Sequence, residues 1–224
     1  MSSLKKVIYL ISTSLIAVIV LYFIEQYLQV NYLIKTILKI TLFISIPIIY
    51  SKLISKETII RLKFQNNNFK LGVILGVSSF AAVIISYLIF KGLIDFQSIV
   101  TEIQTKSKIT PANFIFVGLY VTFLNSFLEE YFFRGYIFLS FYNSGQKKIA
   151  YIYSAVLFAI YHIGIFKTWF KPHITLLAMF ALVLIGFVFN YVDVKSKNLF
   201  NSWIIHILAD SAIVLIGLRL FNLM

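Results

Sequence analysis

Seven times along this chain of 224 residues, an apolar run long enough to cross a bilayer as a helix gives way to a polar or basic break. A hydrocarbon core of about 30 Å takes roughly 20 helical residues. The runs fall at about 7–28, 36–54, 71–90, 112–142, 149–166, 172–191 and 199–221. They are continuously apolar, whereas barrel strands would alternate over about ten residues, so helices are predicted. Sixty per cent of the residues are hydrophobic and only 12% are charged, and mean hydropathy is +0.92, far from the composition of soluble domains. The predicted fold is an all-α polytopic transmembrane helical bundle of about seven segments, forming one integral membrane domain. Lys5 and Lys6 precede an apolar stretch with no small-residue cleavage pattern before "EQYLQ", so a retained first span is expected rather than a signal peptide.

Basic residues give the orientation. With the N-terminus inside, the inner segments hold Lys5, Lys6, Lys52, Lys56, Arg61, Lys63, Lys70, Lys147, Lys148, Lys195 and Lys197. The outer ones hold Lys35, Lys39, Lys91, Lys106, Lys108, Lys167, Lys171 and Arg219. This modest inside excess, concentrated in the 52–70 loop, predicts a cytoplasmic N-terminus. The net charge of +12 is spread over short loops, as an anionic lipid surface favours, and predicts no nucleic-acid partner. With no cysteine, thiolate chemistry is excluded. Lysine far outnumbers arginine and Ile, Asn and Tyr are plentiful, pointing to a bacterial chain and a plasma-membrane location. The two longer connections, 55–70 and 91–111, are too short for a soluble domain.

Glu129, Glu130, Arg134, His162, His206 and Asp210 all lie inside the runs of the second half. A charge at the bilayer centre costs roughly 2.5–3.5 kcal/mol on insertion scales, so each needs a partner or a purpose. Glu130 and Arg134, four apart, face each other on a helix and can form a charge-assisted pair. Glu129 is rotated by about 100° and is left without that partner. His206 and Asp210, again four apart, share one face of the last helix. At a rise of about 1.5 Å per residue, Glu129, His162 and His206 can meet between the midplane and the cytoplasmic half. Taken singly, each group could simply join helices. Together, on three helices at comparable depth, they read as a site. His173, beside Pro172, reads as interfacial, and the Phe and Tyr residues as lipid and packing surface.

These residues resemble the CAAX protease and bacteriocin-processing (Abi) family of intramembrane endopeptidases, which is similar to the type II CAAX prenyl proteases. Its E-E-x-x-x-R motif is matched by Glu129, Glu130 and Arg134, followed by Gly135; F-x-x-x-H by Phe158 and His162; and H-x-x-x-N/D by His206 and Asp210. The resemblance implies N-terminal transmembrane helices over 1–111 and a catalytic helical core over 112–221. It also implies hydrolysis of a peptide bond in a membrane-embedded or lipid-associated peptide. Glu129 would then act as general base on a water that His162 orients, with His206 and Asp210 at the oxyanion. Asp210 departs from the asparagine of many members, and an ionised carboxylate accepts but cannot donate. Glu129, His162 and His206 would also make a His–His–Glu zinc set. The expectation is a metal-free glutamate route without cofactor, serving bacteriocin or signal-peptide processing or self-immunity. The competing expectation is a non-catalytic membrane scaffold or immunity protein.

Overall fold

The computed structural model describes residues 3–28, 30–55 and 69–224. Among them the chain forms helices α1 (Ser3–Gln26), α2 (Tyr32–Ser55), α3 (Lys70–Phe90), α4 (Phe96–Lys106), α5 (Pro111–Asn143), α6 (Lys147–Phe166), α7 (Pro172–Ser196) and α8 (Phe200–Leu220), and no strand. All but α4 are long and apolar enough to span a membrane. The protein is an integral membrane helical bundle.

The predicted runs are met to within about a turn, and two of the differences matter. Helix α2 starts at Tyr32 rather than 36 because Asn31 caps it, its Oδ1 accepting the Ile34 N–H at 3.0 Å. Lys35 and Lys39, counted with the outer segments, are inside the bundle at 9% and 8% exposure, and Lys35 pairs with Glu25 at 2.7 Å. Helix α7 runs past 191 to Ser196, where Lys197 closes it in the left-handed conformation at φ 56°. That extension brings Asp193 into the bundle, buried. Lys56, Arg61 and Lys63, which weighed in the orientation, lie outside the described residues.

Helix α5 runs 33 residues through the middle of the molecule. Pro111 occupies its first turn, where no amide hydrogen is needed, and Asn113 Oδ1 accepts the Thr110 N–H at 2.7 Å. The backbone widens to π-helical winding at Tyr120–Asn125 and at Glu130–Phe138. Such i→i+5 turns re-aim side chains and often accompany functional sites. Residues Phe132 to Phe138 are all buried, against α2, α6 and α7. Gly145, at φ 86°, makes the reversal into α6 that other residues would enter under strain.

Helix α4 was not foreseen in the 91–111 connection. Asp95 caps it, accepting from both the backbone N–H and the hydroxyl of Ser98 at 3.1 and 2.7 Å. The Ser98 hydroxyl and then its N–H hold that carboxyl below the usual carboxylate range. Its apolar face buries Ile99 and Val100, and Glu102 accepts the Thr168 hydroxyl at 2.8 Å, tying α4 to the α6–α7 turn.

Helix α3 lies along α8. Gly72 and Gly76, four apart, let the two backbones approach, as small-xxx-small pairs do in membranes. Gly72 N–H donates to Asn201 Oδ1 at 3.0 Å. A Cβ on Gly76 would lie 2.5 Å from the mobile end of Leu208 but 3.4 Å from the Ile204 carbonyl. Gly76→Ala should therefore be absorbed by a rotamer change in Leu208. Gly76→Leu should push α8 away and lower the melting temperature in detergent by roughly 5 °C, read by differential scanning fluorimetry.

Candidate active site

Helix α5 presents two adjacent glutamates to different sets of neighbours. Glu130 and Arg134 are both fully buried, with Arg134 Nε 3.4 Å from Glu130 Oε2. The expected i,i+4 pair is formed, but the π winding holds it as a single approach rather than a bidentate fork. The Arg134 guanidinium lies between aromatic faces, 4.1 Å from the Phe158 ring and 4.7 Å from Phe189. Asp193, from the extended end of α7, adds a second buried carboxylate near it, with Ser202 and Arg134 as polar neighbours.

Glu129 is not left alone. Its Oε1 accepts from the Lys39 ammonium at 2.6 Å, from Asn125 Nδ2 at 3.0 Å and from the Tyr161 hydroxyl at 3.3 Å. Its Oε2 is buried and has no hydrogen-bond partner among the described residues. That oxygen faces His162 Nε2 and His206 Nε2, each at 3.8 Å. The expectation of an unpartnered Glu129 is thus corrected for one oxygen only: α2 supplies a cation that spacing along α5 could not reveal. The view of the aromatic residues as packing surface is corrected likewise at Tyr161, whose hydroxyl donates to Glu129.

The imidazoles are oriented from behind. His162 Nδ1 lies 2.8 Å from the Phe158 carbonyl, an acceptor, so Nδ1 carries a proton and Nε2 faces Glu129. His206 Nδ1 lies 2.8 Å from Glu130 Oε1 and likewise donates. Glu130 therefore links Arg134 on one side to His206 on the other. His206 Nε2 has Asp210 Oδ2 at 3.7 Å, and that oxygen too is buried without a hydrogen-bond partner among the described residues. His173 is exposed. The structure thus brings Glu129, Glu130, Arg134, His162, His206 and Asp210 into one cluster and adds Lys39, Asn125, Tyr161 and Asp193.

A cavity of about 870 Å³ reaches this cluster. Glu129, His162, His206 and Asp210 line it, and it continues to Phe96 of α4 and Trp169 of the α6–α7 turn. The space therefore lies toward the end of the bundle that holds the α1–α2, α3–α5 and α6–α7 connections. In the expected orientation that is the outer end, not the cytoplasmic half. Most of the wall is apolar, so a polar group entering it meets hydrogen-bonding partners chiefly at this cluster.

No group of three or more His, Asp or Glu among the described residues is arranged to hold a metal ion. The Lys39 ammonium on Glu129 also sets a positive charge beside the place a zinc ion would take.

Residues 111–212 match the family model described as Rce1-like, type II CAAX prenyl endopeptidase Rce1-like. The matched stretch runs from the start of α5 into α8 and contains all three motifs. No curated protein and no solved structure matches the chain.

Proposed function

We propose, from the Rce1-like identity of residues 111–212, that this protein is an intramembrane endopeptidase that hydrolyses a membrane-associated peptide with a glutamate-activated water. The observation that carries the mechanism is Glu129 Oε2, buried without a hydrogen-bond partner among the described residues and 3.8 Å from both imidazoles. Two atoms at that separation can both hydrogen-bond one water, whose oxygen would sit about 2.8 Å from each. A buried acceptor without a partner is costly. Glu129 Oε2 and Asp210 Oδ2 bear that cost, as Glu130 Oε2 and both Asp193 oxygens do, but Glu129 and Asp210 bear it on the wall of the cavity, which favours catalysis over a scaffold.

The steps follow from the tautomers. His162 Nε2, with Nδ1 committed to the Phe158 carbonyl, accepts a hydrogen bond from one water O–H, which stays on the oxygen, and so orients the molecule. Glu129 takes the other as the water oxygen bonds to the scissile carbonyl carbon. His206 serves the developing oxyanion from Nε2. Because Nδ1–H already donates to Glu130, this requires the ring to carry both protons, a cation that Glu130 and Asp210 face at 2.8 and 3.7 Å. Asp210, acceptor-only when ionised, acts through His206 rather than on the oxyanion. Glu129 then returns its proton to the amine as the C–N bond breaks.

In this reading the chain sits in a bacterial plasma membrane with its N-terminus in the cytoplasm. Its substrate is a membrane-embedded or lipid-associated peptide, cut in bacteriocin or signal-peptide processing or in self-immunity. The lysine-rich composition and the apolar cavity support this. Purified protein in detergent should cleave members of a fluorogenic membrane-peptide library, with sites mapped by mass spectrometry, and rates should be unchanged by a chelator. No cleavage by a monodisperse wild type on any member would put the scaffold reading ahead, and chelator sensitivity reversed by zinc would overturn the metal-free route.

A further inference from the structure

Helix α2 lies outside the matched residues, yet it delivers a charged side chain into the cluster. Lys39 is eight residues into α2's sequence from Asn31, 8% exposed, and its ammonium is 2.6 Å from Glu129 Oε1. It also donates to Asn125 Oδ1. Asn125 in turn donates through Nδ2 to the same Glu129 oxygen at 3.0 Å, closing a triangle of Lys39, Asn125 and Glu129. The ammonium is further placed by the Tyr161 ring at 4.9 Å and the Phe43 ring at 5.4 Å. Among the described residues every side-chain hydrogen bond of Glu129 thus falls on Oε1, while Oε2 is turned to His162 and His206.

We infer that Lys39, assisted by Asn125, is a positioning residue for the reaction: it is the counter-charge of Glu129 and fixes which carboxylate oxygen meets the water. The inference rests on the endopeptidase reading of the site. It follows from two features of the geometry. A carboxylate among Glu130, Asp210 and apolar walls needs a cation to stay ionised, and Arg134 is turned to Glu130 instead. A carboxylate that could rotate would present either oxygen, and three donors on one oxygen remove that freedom. Among the described residues the ammonium's hydrogen bonds go to Glu129 and Asn125 and to neither imidazole, so its effect passes chiefly through Glu129.

The test compares Lys39→Met, Lys39→Arg, Glu129→Gln and the double variant Lys39→Met/Glu129→Gln in the full chain. It uses kcat and KM on a peptide the wild type cleaves and melting temperature in the same detergent. Lys39→Met should lose roughly 100-fold or more in kcat with KM within about threefold, and Lys39→Arg should recover to within about tenfold of wild type. On melting, Lys39→Met leaves an unpaired buried carboxylate and should be the least stable, by roughly 10 °C, whereas the double variant should regain at least half of that loss. If Lys39→Met does not fold, Lys39→Gln takes its place in each comparison. The inference is overturned by kcat within threefold of wild type in Lys39→Met, by Lys39→Arg being as impaired as Lys39→Met, or by melting losses that simply add in the double variant. If the wild type cleaves nothing, the endopeptidase reading fails by itself, and the melting comparison still decides whether Lys39 is the counter-charge of Glu129.

Discussion

Glu129→Gln is expected to leave a folded helical protein whose peptide cleavage is slower by at least about 1,000-fold, the middle of the range for losing a general base. The amide keeps nearly the shape of the carboxylate, and its carbonyl oxygen can still accept from Asn125 and Tyr161. What it cannot do is take a proton at the position of Oε2, 3.8 Å from both imidazoles. Glu130→Gln makes the necessary comparison. Glu130 meets no water position of its own; it holds His206 Nδ1 at 2.8 Å and faces Arg134. Its loss should act through the orientation and charge of one imidazole, an effect of about 10–100-fold as for other partners behind a working histidine. Single-turnover cleavage, with circular dichroism to verify helix content, separates the two. Equal losses in the two variants would remove the assignment of Glu129 as base.

The contrast between adjacent glutamates was legible in the sequence, because a spacing of four pairs Glu130 with Arg134 and leaves Glu129 on another face. Three helices with polar groups at similar depth could also be read, and the structure does bring Glu129, His162 and His206 together. Other features were hidden for physical reasons. Lys39 reaches Glu129 across two helices 90 positions apart in sequence, and no periodicity within one helix records such a pairing. A signal existed in Asn31, whose capping ability starts α2 a turn earlier and so carries Lys39 below the surface. Asn125 lay one turn before Glu129 and was readable on the same grounds. Asp193 was missed because the apolar pattern fades at 191, although the helix continues to Ser196. The π winding of α5 has no pattern that hydropathy could show. It changes which neighbours a side chain meets and leaves the Glu130–Arg134 contact at 3.4 Å.

Replacing Arg134 should have the largest effect on stability of any single change in the bundle. Its guanidinium is fully buried, held between the Phe158 and Phe189 rings, and it is the cation facing both Glu130 and Asp193. Removing one partner of a buried ion pair costs about 3–5 kcal/mol, because the charge left behind has neither water nor a counter-ion. Here two carboxylates would be left. Arg134→Met, which keeps much of the apolar volume, should therefore lower the melting temperature by roughly 10–15 °C or prevent the protein from accumulating in the membrane. Arg134→Lys restores the charge but not the planar group that stacks between two rings, and should recover only part of the loss. The decisive variant is Arg134→Met/Asp193→Asn. If uncompensated charge is the cause, neutralising Asp193 should return several degrees to Arg134→Met in fluorimetric melting. If the cause is lost packing against Phe158 and Phe189, the second substitution should return none. A return would make the Glu130, Arg134 and Asp193 group an electrostatic foundation on which the His206 ring is set, so the same variants should lose cleavage in the order in which they disturb Glu130.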